Sequence, residues 1–593
     1  MDASPDQKPD TPTQSRWLNH FNFCLLLSLI GVFGQLPSYA DSLIPEESSI
    51  GQIEEDNPNS DRFLQPNELP SEELPEASPS LPQSSVPSPA ISETESETIP
   101  IQEIEITGNT AFSDTELKEL INDIIGQTVP RQELLQAVDA ITQRYLEEGY
   151  ITSRATLVEE SLSSGAIEIR VIEGTLAEIQ IQGTERIRES YVRSRLQRGA
   201  GTPLQPAEIE EQLRLLQSDP LFSNIEASLR AGEGIGESIL AVRVTEADPF
   251  DGRVFVDNYS PPSVGSERLG TALSYRNLTG FGDEISLQYT RTTAGGSQNV
   301  DAAYEFPINA LDGTIEARVA YNDNEIIQEP FAELDIRGDS ILYELNYRQP
   351  FIRSPREEFA LSFGFTYQDG QTFTFAGPTP IGIGPDEEGI SRTSVLKFGQ
   401  EYTRRDTLGA WAARSLFSFG TGLFDATIND DPIPDSRFVS WFGQLQRVQI
   451  LNPNNFLILQ GDIQLSSDGL LPSQQFVIGG GQSVRGFRQN VRAGDNGFRV
   501  SVEDRITLER NEAGISTFQL APFVEAGKVW NVDDNPNELP SQTFIAGIGV
   551  GMLWQPLPDL HLRLDYGYPL VDLDDRGQNA QEEGFYFSVS YDF

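Results

Sequence analysis

The chain ends Phe585-Tyr586-Phe587-Ser588-Val589-Ser590-Tyr591-Asp592-Phe593, with Phe585, Phe587, Val589, Tyr591 and Phe593 at every second position. A period of two marks a strand whose two faces meet different surroundings. The same period recurs upstream, in Leu269, Thr271, Leu273, Tyr275; Ile285, Leu287, Tyr289; Ile315, Ala317, Val319, Tyr321; and Ile341, Tyr343, Leu345, Tyr347. Gly, Ser, Gln, Glu, Arg or Asn fill the alternate positions, and turns such as Leu278-Thr279-Gly280-Phe281-Gly282-Asp283 close the segments. Antiparallel hairpins with one apolar, aromatic-ended face fit a transmembrane β-barrel with lipid outside and water inside. A soluble β-sandwich would turn the same face into a core, and periodicity does not separate the two. The terminus does, because outer-membrane barrels finish on such an aromatic strand for recognition by the barrel assembly machinery. Tyr591 and Phe593 are therefore read as an assembly signal. The tract from Pro249 to Phe593 holds 345 residues, room for about 16 strands of ten residues with their connections.

The other end of the chain agrees with a protein that leaves the cytoplasm. Lys8, Arg16 and His20 precede an apolar run, Phe23 to Phe33, and Pro37-Ser38-Tyr39-Ala40 follows, with small residues where a signal peptidase expects them. Residues 1–40 are read as a signal peptide. The run is far short of the roughly 20 residues of a membrane helix. Residues 41–100 are dominated by Pro, Ser and Glu, as in Glu73-Leu74-Pro75-Glu76-Ala77-Ser78-Pro79-Ser80, and read as a disordered tether without a convincing amphipathic plug helix.

Composition removes several classes of function. The 593 residues carry 41 Lys plus Arg against 90 Asp plus Glu, a net charge of −49, which would repel the phosphates of nucleic acid. One Cys and two His leave too few soft ligands for a zinc or iron–sulfur site, no disulfide framework and almost nothing for imidazole catalysis. No metal and no cofactor is expected.

Between tether and barrel, order begins at Ile101. Ile104 and Ile106 lead to a Gly108-Asn109 turn, and Ser113 with Glu116 three residues on opens a helix carrying Leu117, Leu120, Ile121 and Ile124 on one face. A helix from Arg131 with Leu134, Leu135, Val138, Ile141 and Tyr145, then strands over 151–157 and 167–172, complete a β-α-α-β-β unit over 101–174. The pattern recurs over 175–248, with helices expected over 186–196 and 208–216, at a period of about 75 residues.

These units resemble POTRA domains, the α+β periplasmic modules that precede the barrel in outer-membrane assembly and secretion proteins. Gly149-Tyr150-Ile151-Thr152-Ser153-Arg154-Ala155 and Val171-Ile172-Glu173-Gly174 resemble the haemolysin-activator type of two-partner secretion transporters. Ile478-Gly479-Gly480-Gly481-Gln482-Ser483-Val484-Arg485-Gly486-Phe487 is similar to the inward-folded loop six of that superfamily. Phe523-Val524-Glu525-Ala526-Gly527 is similar to the strand motif that holds it, with Glu525 where the family usually has Asp. The resemblance implies two POTRA domains followed by a transmembrane antiparallel β-barrel, placed in the outer membrane of a Gram-negative-type bacterium with the POTRA domains in the periplasm. It implies a pore, not an enzyme, that exports a β-helical partner protein. It also implies loop-six residues Val484, Arg485, Gly486 and Phe487 meeting wall residues Phe523, Glu525 and Gly527.

Plainer readings stand beside these. Gly479-Gly480-Gly481 also suits a surface turn, and it lacks the Lys-Ser/Thr and helix of a nucleotide-binding loop. Arg485 also suits a solvated loop, and Glu525 a wet lumen. Arg154, Arg186, Arg188, Arg193 and Arg195 are candidate substrate-binding residues, and the last four equally suit a solvated helix face. A factor that inserts other barrels and a porin for small solutes are the alternative functions.

Overall fold

The computed structural model describes residues 98–593 apart from Ser164 and Pro330. The expected signal peptide and nearly all of the expected tether lie outside the described residues. Thr98–Pro100 does not belong to a tether: it pairs antiparallel with Thr128–Pro130 and sinks Ile99 into the core of the first unit. No described helix is long and apolar enough to cross a membrane.

The two α/β units repeat one another in detail. In the first, strand Glu103–Thr107 lies parallel to Ala166–Ile172, which pairs antiparallel with Arg154–Leu157. In the second, Thr175–Gln182 lies parallel to Glu237–Glu246, which pairs antiparallel with Phe222–Ala231. Two helices pack on each sheet, Asp114–Glu119 and Arg131–Glu147 in the first, Glu189–Leu196 and Pro206–Gln217 in the second. The glycine after each first strand has a positive φ, +80° at Gly108 and +91° at Gly183. A Cβ there would sit 2.4 Å from the Val171 carbonyl oxygen or 2.1 Å from that of Val244, so both positions need glycine.

A carboxylate braces the following loop in each copy. Glu173 accepts from the backbone N–H groups of Thr110 (2.6 Å) and Ala111 (2.9 Å) and from the Tyr145 hydroxyl (2.8 Å). Glu246 accepts from the N–H groups of Glu185, Arg186 and Ile187 at 2.7–2.9 Å. The second unit's first helix starts at Glu189 and not at Arg186, after the turn that Glu246 holds. In the first unit the Ser113–Glu116 capping box forms as expected, but the helix stops at Glu119 and leaves Leu120 exposed. The strand expected from Ile151 begins at Arg154, because Ser153 turns inward to accept from Gly174 N–H at 2.9 Å.

From Phe250 onward, sixteen strands, each antiparallel to its sequence neighbours, form a closed barrel with one two-residue annex, Gly377–Pro378. Strand faces settle its class. Leu269, Leu287, Tyr289, Val319 and Tyr343 are exposed, whereas Ser274, Gln288, Thr290, Asn299 and Asp301 are buried. A sandwich would bury the first set; a barrel turns it to lipid and the second to its lumen. The last strand, Phe585–Asp592, closes on the first, Phe250–Asp257, over the register Ser588↔Asp257 to Asp592↔Arg253. Phe593 extends this seam, donating its N–H to Gly252 O (2.8 Å) and accepting from Gly252 N–H (3.0 Å). A Cβ on Gly252 would lie 2.5 Å from the Phe593 ring, so the ring covers the glycine.

Burial opposes the charge of Glu173 and Glu246, but their hydrogen bonds outweigh it and hold both carboxyls below the ordinary range. Their contribution is present above the unfolded value of about 4.3 and is lost as pH falls through the lower folded values. The melting temperature of a fragment spanning residues 98–248 should fall on acidification below about pH 4.3, and less steeply when Glu173 and Glu246 are both Gln. Phe593→Ser should reduce heat-modifiable barrel in the membrane; unchanged assembly would contradict the seam's role.

Candidate functional site: an inserted loop and its charge hub

The connection between strands Asn455–Ser466 and Asn496–Arg510 folds into the lumen. Its base is a small hairpin in which Phe476–Ile478 pairs with Arg492–Gly494. Phe476, Ile478, Val484 and Phe487 are buried against Leu416, Phe442, Val529 and Ile545 of the wall. A polar lumen thus carries an apolar patch, and the loop sits on it. At about 25 cal/mol per Å², burying such side chains holds the loop without strand pairing.

The tip touches the wall at backbone level. Gly486 has φ +105°, and its N–H donates to the Tyr586 hydroxyl at 2.8 Å, which in turn donates to Phe487 O at 2.6 Å. Opposite stand wall glycines: a Cβ on Gly547 would lie 2.0 Å from Arg485 O, and one on Gly567 2.6 Å from Gly486 N.

Arg485, 3% exposed, occupies the centre. Its Nε and Nη2 meet both oxygens of Glu525 at 2.6–3.2 Å, and its backbone N–H donates to the same carboxylate at 2.8 Å. Nη2 also donates to Glu503 (3.0 Å) and Nη1 to Asp565 (2.8 Å). Its guanidinium carbon lies 3.3 Å from the ring centroid of Phe523. Arg563 joins Asp565 (2.7 Å) to Glu503 (3.1 Å), and Arg505 donates to Glu503 (3.0 Å). Three arginines and three carboxylates from strands Asn496–Arg510, Ser516–Trp530 and Leu560–Pro569, plus the loop, form one neutral cluster. Such balance is what removes the cost of burying each ion. The longer reach of Glu525 lets it grip the side edge of the guanidinium and the loop backbone together.

Farther out, the loop is fastened again. Arg488 and Arg492 both hold Asp575 of the final extracellular connection, at 2.7 and 2.8 Å, and Arg488 also reaches Glu582 at 2.7 Å. The hydrogen bond from Arg492, seconded by Arg488, keeps the Asp575 carboxyl well below the usual carboxylate range. Arg499 ties Asp462 (2.7 Å) to the loop carbonyl of Gln482 (2.8 Å).

Sequence reasoning paired Arg485 with Glu525 alone and missed Glu503, Arg505, Arg563 and Asp565. Each occupies the inward phase of its strand, as many lumen charges do, and only barrel closure brings them together. Leu416 and Phe442 carry a signal that the sequence reading passed over: each is a large apolar residue on a phase shared with polar ones, Arg414 and Ser418 or Ser440, Gln444 and Gln446.

The basic residues of the α/β units do not make one open surface. Arg186 turns to Glu246 (3.2 Å) and Ala247 O (2.6 Å), and Arg193 to Ile179 O (2.6 Å). Arg188 lies 3.9 Å over the Phe281 ring and Arg195 reaches Asp312 at 2.9 Å, both in periplasmic turns of the barrel. Among the five candidates, Arg154, Arg186 and Arg188 are exposed, Arg193 is half-buried and Arg195 is buried. In the second unit Arg195 is docked and not solvated, while Arg186, Arg188 and Arg193 each bind a neighbour and keep an exposed side.

Comparison with known proteins identifies the arrangement. The family described as haemolysin secretion/activation protein ShlB/FhaC/HecB matches residues 236–553, and the ShlB-type POTRA domain matches residues 99–174. The chain is 23% identical over 506 residues to the heme/hemopexin transporter protein HuxB of Haemophilus influenzae (strain 86-028NP), covering 83% of this chain and 86% of that one. It is 24% identical over 461 residues to the outer membrane transporter CdiB of Escherichia coli, covering 75% and 74%. The solved structure of CdiB from Escherichia coli superposes with a TM-score of 0.65 at 21% identity, over 86% of this chain and 93% of that one. With more than half of its length matched, the chain belongs to the ShlB/FhaC/HecB family of outer-membrane two-partner secretion transporters, POTRA modules on the periplasmic side and a barrel in the membrane.

Proposed function

We propose that the POTRA units capture an unfolded, β-prone, β-helical partner in the periplasm, and that loop six gates its passage through the barrel to the cell surface. The observation that carries the reading is the hub at Arg485: a loop held in a pore by side-chain ion pairs and not by strand pairing is removable, whereas a strand of the wall is not.

Capture is supported by sheet edges. Arg154–Leu157 and the ten-residue Phe222–Ala231 each pair on one side only among the described strands. An extended chain can add to such an edge, since main-chain hydrogen bonding tolerates many sequences. Exposed Arg154 stands on the first of these edges, as a candidate contact for substrate. Folding of the partner outside then supplies direction without a nucleotide or other cofactor. Outer-membrane lipid meets the apolar wall, and the barrel assembly machinery is the partner that reads Tyr591 and Phe593. The reading assigns transport and no catalysis, in keeping with the one described histidine, His561, lying 3.4 Å from Asp592 at the seam. A simple porin leaves two α/β units without a task.

Deleting residues 101–244 should leave a barrel that inserts and is heat-modifiable but exports no partner; normal export would favour the porin. Arg485→Ala should cut export per assembled barrel more than Glu525→Ala, because Arg485 without Glu525 keeps Glu503 and Asp565. The double variant should be no worse than Arg485→Ala, as expected for one interaction. Removing one member of a buried pair costs about 3 to 5 kcal/mol, the range expected for this nearly dry hub. Arg485→Lys should restore export in part, because an ammonium lacks the planar fork. Export measured across these variants, normalised to folded barrel, checks the gate; additive losses would contradict it.

A further inference from the structure

The second POTRA unit rests on the barrel through a joint with few components. Arg195 is 8% exposed on helix Glu189–Leu196, its guanidinium 3.4 Å from the ring centroid of its own Tyr191 and 2.9 Å from Asp312. Asp312 belongs to the connection between strands Ser297–Pro307 and Thr314–Glu325 and has φ +64°, a conformation few side-chain-bearing residues adopt. Its other oxygen pairs with Arg353 of the barrel wall. One carboxylate thus joins a cation of the POTRA unit to a cation of the barrel.

The neighbouring turn, 277–283, makes the second half of the joint. Arg188 donates its backbone N–H to Gly280 O at 3.0 Å, while its guanidinium covers Phe281. Gly282 lies flush on the unit's core: a Cβ there would come 2.6 Å from the Tyr191 ring and 2.9 Å from Leu221. Leu221 immediately precedes strand Phe222–Ala231, and Asp219, two residues before it, accepts the Tyr191 hydroxyl at 2.7 Å. The foot of the free edge strand is therefore built into the same contact that holds the unit to the pore.

We infer that Arg195 and Asp312 are positioning residues for export. They fix the edge strand Phe222–Ala231 relative to the pore mouth, and the joint stays closed while a partner passes. A hydrogen-bonded ion pair, a guanidinium stacked on a ring and a flush glycine contact each lose their energy within an ångström or so of displacement, which suits a clamp better than a hinge. This rests on the capture reading above, with Phe222–Ala231 as the edge that delivers chain to the pore.

The test uses the full chain in outer membranes, with its partner expressed and wild-type export as the control for the capture reading itself. Asp312→Asn keeps a residue type that tolerates a positive φ and leaves the POTRA core untouched; Arg195→Gln removes the charge from the other side. Each should lower export per assembled barrel by about tenfold with barrel abundance unchanged, and Arg195→Lys should recover part of the loss. The chain has one cysteine, Cys24, so the pair Arg188→Cys with Gly280→Cys offers a disulfide across the joint, single-cysteine variants serving as controls. The disulfide should form without added cross-linker, and locked protein should export as well as the same protein after reduction. Export that is normal in Asp312→Asn and Arg195→Gln, or lost on locking and regained on reduction, would overturn the inference. If wild type exports and both Asp312→Asn and Arg195→Gln export normally, the joint fails while the capture reading stands.

Discussion

A guanidinium buried inside a membrane pore is the constraint around which the rest of the barrel is arranged. Arg485 enters on a loop and finds three carboxylates already placed on three strands, with Arg563 and Arg505 completing the balance. Without the loop, the wall would hold Glu503, Glu525 and Asp565 against two arginines, an excess of negative charge in a narrow space. With it, charges cancel and nearly every hydrogen-bonding edge of the guanidinium is used. The strands of the hub also lie toward the seam, so loop, wall and closure share one set of residues: Tyr586, on the last strand, holds the loop backbone.

The same physics runs in opposite senses on the two faces of each strand. Lipid accepts no unpaired polar group, so the outer phase is apolar and every backbone group is spent on strand pairing. The lumen accepts charge readily, so polar residues there carry little cost and the apolar patch at Leu416, Phe442, Val529 and Ile545 becomes informative. An apolar patch in water asks for a cover, and Phe476, Val484 and Phe487 supply it. Two unlike contacts, one apolar and one ionic, fix loop six at different depths.

How much of this was written legibly in the sequence follows from the range of each constraint. Lipid imposes a period of two on every strand, so the barrel and its approximate strand number could be read from local pattern. The tandem units were legible because Gly108 and Gly183 obey the same backbone demand 75 residues apart, 183 − 108. Helix starts were read less well: the turn before Glu189 is held by Glu246, some 60 residues later, which no local pattern shows. Loop six was recognised through its resemblance to a family motif, and one partner came with it. Glu503 and Asp565 were hidden because nothing local distinguishes them from other lumen charges. Arg195 was misread for a related reason: its partner Asp312 lies 117 residues away, and helical spacing alone makes a docked arginine look solvated.

The central claim is that the charge of Arg485 keeps loop six inside the pore. Ser483, two residues before it, is 4% exposed, and its hydroxyl accepts from Gly479 N–H at 3.3 Å. Labelling of a Ser483→Cys variant on intact cells with a bulky, membrane-impermeant thiol reagent reads the loop's position directly. The account predicts slow labelling when Arg485 is present and rapid labelling when Arg485→Ala is added, at equal amounts of folded barrel. Equal labelling rates in the two backgrounds would contradict it.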